Sequence, residues 1–291
     1  MALGAAAGAS PDDVPRPGDV PRSGGAGADG PCPGAGGGPR AEGDGGLAYD
    51  RAGAGPPLVL VHALGADRRM WDPVVGRLAP HRDVVAVDLP GFGGSPAIAD
   101  AAPPALAAAV ATFLAGLGLA RPHVAGCSLG GWVALELALV GRARSVTTLG
   151  AAGLWPQPLG PKAATARALA GAAAPLAGVL LHSGRARRLA LAGTVAHPER
   201  VPPADAAHLV RAYGRAPGFQ AANAAMRASR FARLADVGVP VTLATGDHDR
   251  LVRAPAQPPP GVRLVVLRGC GHVPTWDDPE QVARVLLEGS V

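Results

Sequence analysis

The run Gly126-Cys127-Ser128-Leu129-Gly130-Gly131 sets one serine in the pattern Gly-x-Ser-x-Gly. A serine hydroxyl is a poor nucleophile until a base takes its proton and an acid orients that base. Two later segments supply both groups. Gly246-Asp247-His248-Asp249 offers two carboxylates, and Gly269-Cys270-Gly271-His272 offers an imidazole. Serine, carboxylate and imidazole together point to nucleophilic acyl transfer through a covalent intermediate. The glycines have a steric reason. A serine held in a strained strand-to-helix turn brings neighbouring backbone too close for a Cβ at Gly126 or Gly130. The same turn leaves the Leu129 N–H at a helix N-terminus, aimed at a developing oxyanion.

These groups need a frame. Pro56-Pro57 lead into Leu58–Val61, a continuous apolar run suited to a strand buried on both faces. Val84–Val87, His123–Cys127, Val146–Leu149, Val239–Ala244 and Val262–Leu267 read the same way, and Leu47–Arg51 reads as a short edge strand. Helical stretches at Pro103–Leu117, Leu129–Val140 and Pro279–Glu288 lie between several of them. Strands alternating with helices predict an α/β class with a doubly wound, mostly parallel sheet. The serine segment then sits at a strand end running into an almost wholly apolar helix, and the acid and imidazole segments follow two further strands. Such carboxyl ends are where open parallel sheets hold their sites.

About eighty residues, Leu154–Arg233, break the rhythm. They carry no clear strand, are rich in Ala and Arg, and are cut by Pro156, Pro158, Pro161, Pro175, Pro198, Pro202, Pro203 and Pro217. Prolines so spaced limit helices to short pieces. The expected organisation is a loose Gly/Pro-rich tail at 1–46, a core formed by 47–153 and 234–291, and a helical insertion at 154–233 that acts as a lid. The tail is expected to be dispensable.

Composition excludes several classes. The chain has 291 residues, of which 48% are hydrophobic and 17% charged. That balance does not suit wholesale disorder. No apolar run reaches the roughly 18–20 residues that span a bilayer. Met1–Ser10 lacks the basic start and apolar core of a secretory signal. Three cysteines make no disulfide framework, and no Cys/His cluster has zinc spacing. The expectation is a cytoplasmic protein with no metal and no cofactor, acting on a small molecule. The net charge of +5 invites a nucleic-acid reading. The arginines are spread along the chain without interleaved aromatics to stack bases, which argues against it. Nothing in the sequence sets the oligomeric state.

Five segments in order make the chain resemble the α/β-hydrolase fold superfamily over about residues 47–291. His62-Ala63-Leu64-Gly65 looks like its oxyanion loop. Asp88-Leu-Pro-Gly-Phe-Gly-Gly-Ser95 looks like its Asp-x-x-Gly-x-Gly-x-Ser turn. Gly126–Gly131 resembles the nucleophile elbow, Gly246–Asp249 the acid turn, and Gly271-His272-Val-Pro the histidine loop. The order serine, acid, histidine is that of this fold. The resemblance implies Ser128 as nucleophile, His272 as general base and then acid, and Asp249 in preference to Asp247 as the orienting carboxylate. It implies the N–H groups of Leu64 and Leu129 as oxyanion donors.

The implied function is a serine hydrolase, free of cofactors, that cleaves a small, largely apolar ester, lactone, thioester or amide through an acyl-enzyme. The same triad serves C–C bond hydrolases and acyltransferases, and the fold also has non-catalytic ligand-binding members. A serine at the elbow argues against dehalogenase or epoxide hydrolase chemistry, which the resemblance ties to aspartate. Two departures stand out. Ala63 replaces the usual glycine and narrows the acyl pocket if its methyl points inward. No full strand precedes Leu47, so fewer than eight strands are expected. His62, Ala63, Trp155, Phe219 and Phe231 are the candidate pocket residues, although His62 also suits a purely loop-shaping role. Cys127, next to the serine, is expected to pack as a small hydrophobe. A Cys127–Cys270 bridge is conceivable in principle but disfavoured in a reducing compartment.

Overall fold

The structure, a computed structural model, describes residues 46–160 and 165–291. The expected tail thus lies, apart from Gly46, outside the described residues. Seven strands form one sheet: β1 (Tyr49–Ala52), β2 (Pro57–Val61), β3 (Asp83–Val87), β4 (His123–Cys127), β5 (Ser145–Leu149), β6 (Val241–Gly246) and β7 (Val262–Leu267). Their spatial order is β1-β3-β2-β4-β5-β6-β7. Only β1 runs antiparallel, pairing Tyr49 with Val87; every other pairing is parallel. The expected α/β class, the mostly parallel sheet and the short edge strand are all present. The sheet has seven strands among the described residues.

Strands β3, β4 and β5 are buried at every position, as continuous apolar runs demand when helices cover both faces. One face packs against α2 (Pro103–Gly116) and α3 (Leu129–Leu139), with Val61, Val110, Trp132 and Leu135 in the shared core. The other packs against α1 (Asp72–Leu78) and α9 (Pro279–Glu288), with Leu60, Trp71, Leu78 and Leu286. Helix α1 was not evident in the sequence, because seven residues give too short a period to read.

Among the described residues, five α-helices run between β5 and β6: α4 (Thr165–Ala173), α5 (Ala177–Leu180), α6 (Gly184–Ala190), α7 (Pro203–Arg215) and α8 (Phe219–Ala228). They gather a small apolar core of their own around Leu181, Leu191, Val201 and Val210. Among the described residues, no helix is long and apolar enough to cross a membrane.

Candidate active site

Strand β4 turns into α3 through Ser128, which has φ +53° and ψ −115°. It is the one non-glycine among the described residues with positive φ. The flanking glycines are obligatory. A Cβ on Gly126 would stand 2.1 Å from the Gly130 carbonyl oxygen, and one on Gly130 would stand 2.2 Å from the Val61 oxygen. The Ser128 carbonyl is tied down by the N–H groups of Trp132, at 3.2 Å, and Ala152, at 3.0 Å. The backbone is thereby fixed, while Ser128 Oγ makes no hydrogen bond to another described residue.

The loop after β6 carries Asp249 and the loop after β7 carries His272. Asp249 Oδ2 lies 2.8 Å from His272 Nδ1, and both side chains are buried. The other carboxylate oxygen, Oδ1, accepts the N–H groups of Leu251 at 2.8 Å and Val252 at 3.0 Å. Burial pushes the Asp249 carboxyl upward. The His272 contact and the two backbone N–H bonds outweigh this, so its pKa lies below the usual carboxylate value. An ionised Asp249 fixes the proton of His272 on Nδ1 and leaves Nε2 free to act as a base. Asp247 is occupied differently: its Oδ1 accepts the Gly269 N–H at 2.8 Å and shapes the turn.

The pair is seated against the serine strand. A Cβ on Gly150, at the end of β5, would stand 2.8 Å from Asp249 Oδ2 and 3.1 Å from His272 Nδ1. The Cys127 thiol donates to the His272 carbonyl at 3.5 Å. Gly246 has backbone oxygens of Cys270 and Gly271 at 2.2 and 2.4 Å from its notional Cβ, which brings the acid and histidine loops together. Cys127 and Cys270 are both free. Burial pushes the Cys127 thiol far up and that of Cys270 up to about 12, so both stay protonated and unreactive.

The N–H groups of Leu64 and Leu129 donate to no other described residue. Two donors left open beside a serine elbow suit a developing oxyanion. His62 has no free ring nitrogen: Nε2 accepts the Leu89 N–H at 2.9 Å, so Nδ1 carries the proton and donates to the Ala63 carbonyl at 2.8 Å. Burial holds it neutral. His62 therefore shapes the loop. Ala63 is buried in the core layer of α1 and α9. Phe231 is likewise in the core. Trp155 stacks edge-on against Trp132 and borders a cavity of about 430 Å³ that continues along Leu251–Gln257, next to Asp249. Phe219 lies with Tyr213 against Gly65, where a Cβ would meet Tyr213 at 2.6 Å.

Sequence reasoning missed the contacts that Asp67 and Asp88 make beside the loop after β2. Asp67 Oδ2 sits 2.6 Å from His208 Nε2 on α7, and His208 Nδ1 accepts from Arg69 at 3.1 Å. Asp88 anchors the following turn by accepting the Arg68 N–H at 2.7 Å and the Gly94 N–H at 2.8 Å, and by pairing with the Arg68 guanidinium. His208 lies 141 residues from Asp67. No local motif flags a pair so far apart.

Known proteins resemble this chain in part and in whole. Over 95 residues it is 41% identical to a pimeloyl-[acyl-carrier protein] methyl ester esterase of Aeromonas salmonicida, covering 32% of this chain and 36% of that one. It thus spans about a third of that relative's length. An epoxide hydrolase of Mycobacterium tuberculosis is 32% identical over 187 residues, covering 58% of this chain and 86% of that enzyme. The solved structure of a thermophilic esterase from Thermogutta terrifontis superposes with a TM-score of 0.65 at 26% identity, covering 83% of this chain and 92% of that one. A model of the alpha/beta hydrolase family matches residues 58–285. With the elbow, the carboxylate–imidazole pair and the parallel sheet that holds them, this match establishes that the chain belongs to the alpha/beta hydrolase family.

Proposed function

We propose that the protein is a serine hydrolase that cleaves small, largely apolar carboxylic esters through an acyl-enzyme without a cofactor. The observation that carries this reading is the buried Asp249–His272 contact of 2.8 Å at the strand ends that also hold the Ser128 elbow. Ser128 Oγ attacks the ester carbonyl as His272 Nε2 takes its proton. The negative charge on the carbonyl oxygen is received by the Leu64 and Leu129 N–H groups. Collapse expels the alcohol, which His272 protonates. Water, deprotonated by the same nitrogen, then attacks the acyl-serine and releases the acid. Oγ and Nε2 tighten into hydrogen-bond contact when substrate fills the space between them.

Residues 154–233 act as the lid in this reading. Support comes from three contacts on the site's rim: Tyr213 and Phe219 against Gly65, Gly218 N–H to the Gly91 carbonyl at 2.9 Å, and Val273 N–H to the Thr194 carbonyl at 2.7 Å. The free core thiols agree with a reducing, cytoplasmic setting. The esterase relative supports ester cleavage over the epoxide reading. A serine that opened an epoxide would form an ether, which has no carbonyl for water to attack.

A fluorophosphonate probe is expected to label Ser128 in the folded protein. The Ser128→Ala variant is expected to lose the label and, on p-nitrophenyl acyl esters, on the order of 10⁴-fold or more of turnover. A folded protein that is unlabelled at Ser128, or a variant that keeps its rate, refutes the reading.

A further inference from the structure

The charge of this chain is divided by region. The insertion, 154–233, holds ten arginines and Lys162 against only two acids, Glu199 and Asp205. The two core segments hold 13 basic and 14 acidic residues, close to neutral. The positive excess of the whole protein therefore belongs to the insertion, a concentration that a scan along the sequence reads as scatter. Apart from Arg233, which meets Asp236 Oδ2 at 2.9 Å, it is left largely uncompensated among the described residues. Arg167, Arg187, Arg211, Arg227 and Arg230 spend their guanidinium groups on backbone carbonyls, which leaves their charge in place. Arg185 and Arg188 are exposed and meet no carboxylate of a described residue.

Those two arginines stand beside apolar side chains that a water-facing helix does not need. On α5 and the residue before it, Leu176, Val179 and Leu180 share one exposed face at i, i+3 and i+4. On α6, Arg185, Arg188 and Leu189 share another by the same spacing. Val179 is 76% exposed and Leu189 is 82% exposed. The two short helices form one unit, because the Arg187 guanidinium on α6 caps the Leu181 carbonyl at 2.7 Å and the His182 carbonyl at 3.0 Å at the end of α5. The inner side of the unit, Ala177, Leu181 and Leu191, is already packed. The outer face has no such cover among the described residues.

We propose that this α5–α6 face docks on an anionic phospholipid bilayer. Exposed aliphatic side chains and arginines on two joined helices, with no acid among them, match an interface with apolar chains below and phosphate headgroups above. The match is one of charge and of tolerance: a lipid surface requires no fixed hydrogen-bond geometry, and the two guanidinium groups are held in none. A second copy of the chain would bring the same positive charge against this one. A nucleic acid would leave the exposed aliphatic side chains against water, and a single strand would call for stacking rings. The described aromatics of the insertion instead turn inward or toward the core: Tyr213 and Phe219 pack on Gly65, Trp155 on Trp132, and Phe231 in the main core.

The test is flotation of the full chain with lipid vesicles at low salt. Vesicles of phosphatidylcholine with about one third phosphatidylserine are compared with phosphatidylcholine alone. The protein is expected to float with the anionic vesicles, to be released as salt rises, and to stay behind with the neutral ones. The double variant Arg185→Glu/Arg188→Glu is expected to lower partitioning by at least about tenfold. The double variant Val179→Ser/Leu189→Ser is expected to lower it while keeping the salt dependence. All four positions are exposed, so melting curves of both variants are expected to match the parent. Absence of flotation by the parent overturns the proposal, as does undiminished flotation by either variant. Capture by an acidic protein without flotation would assign the face to a protein partner and overturn it equally. Flotation requires no turnover, so its outcome is separate from the fate of the hydrolase reading.

Discussion

At Gly126 an added Cβ would meet backbone oxygen at 2.1 Å, whereas at Gly178, within the insertion, the nearest atom is the end of an arginine side chain at 3.0 Å. The contrast extends across both regions. The sheet-end turns are held by backbone against backbone: Gly126 on Gly130, Gly130 on Val61, Gly246 on Cys270. The insertion has a close backbone crossing where Gly214 meets Gly171, but much of it is held by long side chains reaching carbonyls, as Arg211 reaches Ala174 and Arg227 reaches Gly160. The first kind of contact cannot yield, because neither partner has a rotamer to change. The second yields at the loss of one hydrogen bond, about 1 kcal/mol. The turns of the site are thus fixed singly, and much of the insertion only in aggregate.

Substitutions can break or sharpen that contrast. The largest effect on turnover is expected at Asp249→Asn, which keeps the shape but leaves His272 in the wrong tautomer. A fall of about 10⁴-fold in kcat is expected, measured on the same p-nitrophenyl esters. The pH dependence follows from the depressed carboxyl. Ionised Asp249 stabilises the fold fully above the ordinary carboxylate range, and that contribution is lost as pH falls through its lower folded value. Thermal melts of Asp249→Asn against pH are therefore expected to show a shallower acid-side decline than the parent.

Next comes Gly126→Ala, which is expected to destabilise by about 1–3 kcal/mol or more through overpacking and to distort the elbow. Denaturant titration and fluorophosphonate labelling check both. A stable, fully labelled variant would break the claim that this turn is rigid. The smallest effect is expected at His208→Ala, where the two regions meet through charge. Removing His208 leaves Asp67 half-partnered beside the oxyanion loop, and about a tenfold loss in kcat with little change in KM is expected. An unchanged kcat would detach the insertion from the oxyanion loop.

How much could be read from the sequence follows the same division. The strand runs, the elbow and the acid and histidine turns were legible because each demands residue types at fixed local spacing. Strand edges moved by only one or two residues, as when Val239–Ala244 became Val241–Gly246. Helix α1 was lost in a short segment. The place of His62 and Ala63 in the loop was visible, while what their side chains meet depends on Leu89 and on the core beneath. The Asp67–His208 pair was invisible because it joins distant elements. The concentration of arginines on one region became meaningful only once the helices showed which residues share a face.

Ser128 holds a conformation that glycine adopts without strain and an L-residue reaches at a cost on the order of 1–3 kcal/mol. A lineage selected for thermal endurance alone would drift to glycine at this one position and lose its hydroxyl in the process. A serine in that left-handed backbone thus gives up some durability of the fold and gains a hydroxyl, a trade set in a single dihedral angle.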